Sequence, residues 1–132
     1  MKGQCFQWSE QYALDNPDCT ICHAVVTQPC QLPPEPYVHA WVEVDIDGII
    51  YCLDWQVMEA GHGGHWQGKG YPKSVFYELY HPERTIEYTP QEALLLILDK
   101  GHSGPWSEDF NSVIYEQLQR QKERNRTPTL PS

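Results

Sequence analysis

The sequence predicts an α+β domain: an N-terminal helix packed on an antiparallel sheet, followed by two C-terminal helices. Three observations carry that expectation. Asp45-Ile46-Asp47-Gly48 separates two alternating apolar runs, and an Asp-Gly pair in that setting signals a β-hairpin. Thr89-Pro90-Gln91-Glu92 combines an N-cap threonine, a first-turn proline and a third-position glutamate, which together form a capping box. The elements run helix, strands, helices along the chain, without the strand–helix alternation of a parallel sheet.

Residues 5–16 read as the first helix, with Phe6, Trp8, Tyr12 and Ala13 at rough three-to-four spacing and Asn16-Pro17-Asp18 as its stop. Residues 20–27 alternate as a strand. The prolines of 29–36 make that stretch a loop. Residues 38–45 and 49–54 are the two arms of the hairpin. Between 56 and 73 the chain loosens, and the five glycines of 61–70 predict a loop able to act as a lid. Residues 75–80 and 85–88 read as further strands. The helix begun by Thr89 carries the apolar run 93–98 and ends at Lys100-Gly101, a cation followed by a C-cap glycine. A last helix starts near Ser107 and runs past Gln119, with Phe110, Val113, Ile114 and Leu118 on one face.

Size and charge bound the function. At 132 residues the chain is one domain, 1–124, with a disordered tail at 125–132. The longest apolar run, 93–98, is far short of the roughly 18 residues of a membrane span, so no membrane partner is expected. Met1–Phe6 lacks the apolar stretch of a signal peptide, so a cytoplasmic location with reduced thiols is expected for the five cysteines. The net charge is −9, and residues 1–83 hold −8 of it, from three Lys/Arg against eleven Asp/Glu. That sign repels phosphate backbones and argues against nucleic acid. The locally basic 120–126 reads as a helix end whose cations complement the dipole. No phosphate-cradling glycine motif is present, and no cofactor is expected.

Three residues can be argued into a catalytic site. Cys5 begins the first helix, where free backbone N–H groups and the macrodipole favour a thiolate and can also receive an oxyanion. His39 opens the strand that leaves the proline loop, and Asp54 closes the next strand. If the two face directly across the hairpin, the turn centres on Ile46-Asp47. A turn on the preferred Asp47-Gly48 instead needs a bulge or a diagonal pairing. A carboxylate beside a histidine fixes its tautomer and stabilises the imidazolium, and a cysteine facing that ring is a nucleophile with its base.

The residues Gly3-Gln4-Cys5-Phe6, a following helix, His39-Ala40-Trp41-Val42-Glu43-Val44 and then Leu53-Asp54 resemble the papain-like/transglutaminase-like cysteine enzyme superfamily over residues 3–56. The interval of fifteen residues from His39 to Asp54 is also similar to that of arylamine acetyltransferases. The resemblance implies Cys5 as nucleophile, His39 as general base and acid, and Asp54 as the orienting carboxylate. Gln4, adjacent to Cys5, and Trp41, on the face of His39, are the oxyanion or cleft candidates. The implied activity is that of a small peptidase, amidase or transglutaminase-like acyltransferase working through a thioester. A peptide, amide or amine-bearing substrate, cationic in view of the acidic first half, is the expected partner.

Two alternatives stand beside it. One is a non-catalytic acidic module on the same fold, binding a protein partner. The other is a zinc-stabilised binding module using Cys19, Cys22 and Cys30 with one of His23, His62 or His65. Cys19-Thr20-Ile21-Cys22-His23 also matches a c-type haem attachment pattern, which requires export and is disfavoured without a leader.

Overall fold

The computed structural model describes residues 4–27, 32–54 and 70–126, and among them it contains four α-helices and a five-stranded antiparallel sheet. The order is α1 (Gln4–Asp15), β1 (Thr20–Thr27), β2 (Pro36–Ile46), β3 (Ile49–Leu53), β4 (Tyr71–Pro72), α2 (Lys73–Tyr80), β5 (Glu83–Tyr88), α3 (Pro90–Lys100), a 3₁₀ turn at Glu108–Phe110, and α4 (Asn111–Arg126). The sheet runs β4-β3-β2-β1-β5. The expected α+β class therefore holds at the level of helices on an antiparallel sheet. Helix α4 continues two residues into the stretch expected as tail. The proposed lid at 61–70, apart from Gly70, and the rest of the tail lie outside the described residues.

The hairpin forms where the sequence places it. Asp47 and Gly48 take φ of 55° and 88°, and the Gly48 N–H donates to Asp45 Oδ1 at 2.8 Å. Two successive left-handed residues are the requirement of a type I′ turn, which matches the strand twist. Val42 then faces Leu53 and Glu43 faces Cys52. The turn thus centres on Asp47-Gly48. At the Thr89 cap, Oγ1 accepts from the Glu92 N–H at 3.0 Å, and Glu92 Oε1 accepts from the Thr89 N–H at 2.8 Å.

Two elements depart from expectation. Residues 75–80, rich in β-formers, are the core of helix α2. Strand propensity reports fit to a half-buried surface, and tertiary context overrides it. Here Phe76 and Tyr80, four residues apart, bury one helical face against the sheet, and a left-handed His81 ends the helix with its N–H on Tyr77 O at 3.0 Å. The two-residue strand β4 falls in a stretch read as loop.

The sheet is covered on both faces. Cys22, Ala24, Val26, Trp41 and Cys52 meet α2 through Phe76 and Tyr80. On the other face, Val25, Val38 and Ala40 meet Phe6 of α1 and Val113 of α4, while Ile21, Val42 and Leu53 meet Ala13 of α1 and Ala93 of α3. Of the apolar run 93–98 only Ala93 is buried. No helix among the described residues is long and apolar enough to cross a membrane.

His23 sits in this second layer with no exposed surface and, among the described residues, no hydrogen-bond partner for either ring nitrogen. Phe6, Tyr88 and Trp106 surround it at ring distances of 4.9, 5.0 and 5.4 Å. Gly104 approaches so closely that a Cβ there would lie 2.6 Å from His23 Cε1. Burial first, and the charge of His39 second, lower the His23 pKa to about 3. Between its ordinary 6.5 and that value the unfolded chain takes up a proton that the fold refuses. Stability contributed by the neutral ring is thus full above pH 6.5 and falls on acidification, by up to about 1.4 kcal/mol per pH unit. Replacing His23→Leu should flatten this part of the acid limb of a urea-denaturation series. An unchanged slope between pH 6.5 and 4 would show that the ring does not carry it.

Candidate active site

Cys5 lies in α1, His39 in β2 and Asp54 directly after β3, and both Asp54 and the Cys5 thiol act on the His39 ring. The hairpin register sets the first contact. Val42 faces Leu53, so continuing the ladder puts Asp54 across from Trp41, diagonal to His39 and on the same sheet face. The diagonal is short enough for a bond: His39 Nε2 donates to Asp54 Oδ2 at 2.6 Å. Both groups are buried, with side-chain exposures of 3% and 0%. The direct pairing on Ile46-Asp47 is replaced by this diagonal, and no bulge interrupts the ladder from Val42 to Ile46.

Cys5 approaches from the other layer. It occupies the first turn of α1, half-buried beside the cluster of Phe6, Val38 and Ala40, and the backbone N–H groups there have no partner within the helix. Ser9 Oγ donates to the Cys5 carbonyl at 2.7 Å and ties the turn together. Beyond Val42, β2 has no β3 residue beside it among the described pairs. Helix α4 covers part of this open edge with side chains in place of a strand. Gln117 Oε1 accepts from the Val38 N–H at 3.1 Å, and Arg120 donates to the Pro36 carbonyl at 2.7 Å. Arg120 and Arg124 also pair with Glu35 at 3.7 and 3.5 Å, so two cations of the basic 120–126 stretch hold the entry to β2.

His39 feels both partners. Burial alone would lower its pKa, but the Asp54 charge and hydrogen bond, joined by those of the Cys5 thiol, outweigh burial and raise it. With Nε2 committed to Asp54, Nδ1 is the ring nitrogen that remains. The ring is walled by aromatics. Tyr37 stands edge-on at 5.6 Å, and Trp41 and Tyr80 lie near-parallel, each at 6.3 Å. Tyr37 has its hydroxyl pKa raised, by burial first and then by Tyr80, Asp54 and Cys5, so it stays a neutral phenol beside His39. Tyr80 is raised to about 12, by burial, then Asp54 and Tyr71.

The two oxyanion candidates part here. Gln4 begins α1 next to Cys5 and is half-buried. Trp41 is completely buried and its indole N–H donates to Glu43 Oε2 at 3.1 Å.

Of the cysteines of the metal alternative, Cys19 and Cys22 do not converge. Cys19 packs with Ala13, Ile21 and Val42, and Cys22 packs on the α2 side of the sheet. Cys30, His62 and His65 lie outside the described residues. What does gather is Cys22, Glu43 and Glu87, with one donor atom each within 4.8 Å of one another. The cation in this group is Lys73, whose ammonium pairs with Glu43 Oε1 at 3.2 Å and feels both Glu87 and Cys22. Burial, then the charge of Glu43, pushes the Cys22 thiol up, away from the thiolate a metal needs. The Glu43 cluster was not visible in the sequence beyond Glu43's place two residues after Trp41. Comparison with family models, with curated proteins and with solved structures gives no match.

The His39–Asp54 pair contributes most stability below about pH 6.5 and loses it as pH rises through the raised value of His39. Asp54→Asn leaves the imidazole buried without its counter-charge, and breaking such a pair costs about 3–5 kcal/mol. The loss measured by urea denaturation should be largest near pH 6 and should shrink in the alkaline range. A gap between variant and parent that is constant with pH contradicts the assignment.

Proposed function

We propose that the chain is a small thiol enzyme of acyl transfer, with Cys5 as nucleophile, His39 as general base and acid, and Asp54 as the carboxylate that orients and charges His39. The observation that carries the reading is the buried 2.6 Å bond between His39 Nε2 and Asp54 Oδ2 on a ring whose proton affinity Cys5 also raises. A buried carboxylate on one nitrogen leaves the other as the working edge, and Asp54 compensates the positive charge that appears when that edge takes a proton.

In the first half-reaction the Cys5 proton passes to His39, and Sγ forms a bond to the carbonyl carbon of an amide or ester. The carbonyl electron pair moves to oxygen, where N–H groups of the first turn of α1 are the available donors. When the pair returns, the bond from carbon to the leaving nitrogen or oxygen breaks, and His39 gives that atom its proton. A thioester on Cys5 remains. In the second half-reaction His39 takes a proton from water or an amine, the new nucleophile displaces Sγ, and the proton returns to Cys5. The acceptor decides between hydrolysis and transfer. The excess of carboxylates in residues 1–83 favours a substrate with a cationic or amine-bearing group. The papain-like/transglutaminase-like resemblance of the Cys5, His39 and Asp54 segments supports the same chemistry.

Alkylation read residue by residue in a mass spectrometer tests this. Cys22 and Cys52 have no exposed surface and Cys19 almost none, so they serve as protected internal references. Cys5 should react with iodoacetamide at pH 7 faster than a free-thiol peptide, and His39→Ala should slow it at least ten-fold. Acyl-enzyme should accumulate on Cys5 with an activated ester and be absent from Cys5→Ala. A Cys5 that reacts no faster than the peptide and ignores His39 would turn the reading toward the non-catalytic module.

A further inference from the structure

We infer that Glu43 is a positioning residue for His39, holding in place both aromatic rings that lie parallel to its imidazole. This rests on the thiol-enzyme reading and concerns the same site.

Glu43 is nearly buried on the His39 face of β2, and among the described residues its carboxylate is shared by Trp41, Tyr77, Cys52, Lys73 and the Cys22 thiol. Oε2 accepts from Trp41 Nε1 at 3.1 Å, from the Tyr77 hydroxyl at 2.8 Å and from the Cys52 thiol at 3.7 Å. Oε1 pairs with Lys73 at 3.2 Å. Cys22 and Cys52 belong to β1 and β3, and the other partners have two origins. Trp41 is on the same strand, two residues from both Glu43 and His39. Lys73 and Tyr77 belong to α2, the helix that also carries Phe76 and Tyr80.

The rings close a circuit around that anchor. His39 lies against Trp41 at 6.3 Å, Trp41 against Phe76 at 4.9 Å, Phe76 against Tyr80 at 4.6 Å, and Tyr80 again against His39 at 6.3 Å. The planes of Trp41 and Tyr80 are 28° and 19° from that of His39. A histidine that must point Nε2 at Asp54 and Nδ1 at Cys5 has no freedom to turn its plane, since one rotation spoils both alignments. Trp41 fixes that plane from within the strand, and Tyr80 fixes it from the helix. Glu43 holds the first by a direct hydrogen bond and the second by docking α2.

A purely structural role would also cost stability when Glu43 is changed, so the test reads His39 itself. Glu43→Gln keeps the shape and removes the charge that answers Lys73 and the second strong acceptor. At a temperature where near-UV circular dichroism shows the variant folded, the iodoacetamide rate of Cys5 at pH 7 should fall at least five-fold and its pH profile should move. The downfield proton resonance of the His39–Asp54 hydrogen bond should shift upfield or broaden. Tyr77→Phe, which removes one donor and keeps the packing, should do the same to a smaller degree, and it carries the test alone if Glu43→Gln does not fold. An unchanged Cys5 profile and an unchanged proton resonance in a folded variant, with only the denaturation midpoint lowered, overturns the inference. That failure leaves the thiol-enzyme reading intact as long as wild-type Cys5 is activated through His39. If wild-type Cys5 is not activated, both fall together.

Discussion

Asp47 and Gly48 turn the chain with positive φ at both residues, and this two-residue closure sets which face of the sheet every residue of β2 and β3 takes. The consequence follows from the period of two along a strand. With Glu43 opposite Cys52 and Val42 opposite Leu53, the odd residues of β2 and the even residues of β3 share the α2 side. His39, Trp41, Glu43 and Asp54 therefore gather in one layer. A slip by a single residue would send Leu53 out of its place against α1 and put Asp54 on the side away from His39. The turn thus governs the hydrophobic layers and the candidate site together, and Asp45 reinforces it by accepting from the Gly48 N–H.

That layer contains two buried carboxylates, which needs an electrostatic account. Each would cost several kcal/mol if isolated from water. Asp54 is answered by His39, and Glu43 by Lys73 with hydroxyl and indole donors. The two answers differ in kind. For Glu43, burial pushes toward the acid form, but the bonds from Trp41, Tyr77 and Lys73 outweigh it and lower the pKa, so the carboxylate stays charged as a fixed anchor. For Asp54 the partner is itself titratable, and the proton affinity of the pair is raised on the histidine. One carboxylate stiffens the layer; the other makes a base of its neighbour.

Much of this was legible in residue types and local spacing. The capping box, the C-cap at Gly101 and the hairpin are local rules, and each formed as read. Cys5, His39 and Asp54 were singled out from a helix start and two strand ends, and the structure brings His39 and Asp54 into contact with Cys5 acting on the same ring. What stayed hidden depends on long-range packing. Residues 75–80 carry strand formers, and only the sheet face they cover makes them a helix. The α2 partners of Glu43, Lys73 and Tyr77, lie thirty or more residues downstream, with no motif linking them. The Cys19-x-x-Cys22 spacing suggested a metal site, but alternation along the extended chain divides the two thiols between opposite faces.

Two buried histidines show why burial alone does not reveal a site. His23 and His39 lie on adjacent strands, with His23 facing Ala40 and His39 facing Ala24, so they are near neighbours on opposite sides of one sheet. Burial lowers the proton affinity of both. His23 is surrounded by Phe6, Tyr88 and Trp106 with Gly104 close by, and it stays far below its ordinary value. His39 meets Asp54, and the shift reverses sign. The two are also coupled, because a proton on His39 further discourages one on His23. The sheet can therefore carry an imidazolium on its α2 side while the ring behind it remains a neutral core residue. It is the carboxylate delivered by the hairpin register that separates the histidine with raised proton affinity from the one held neutral.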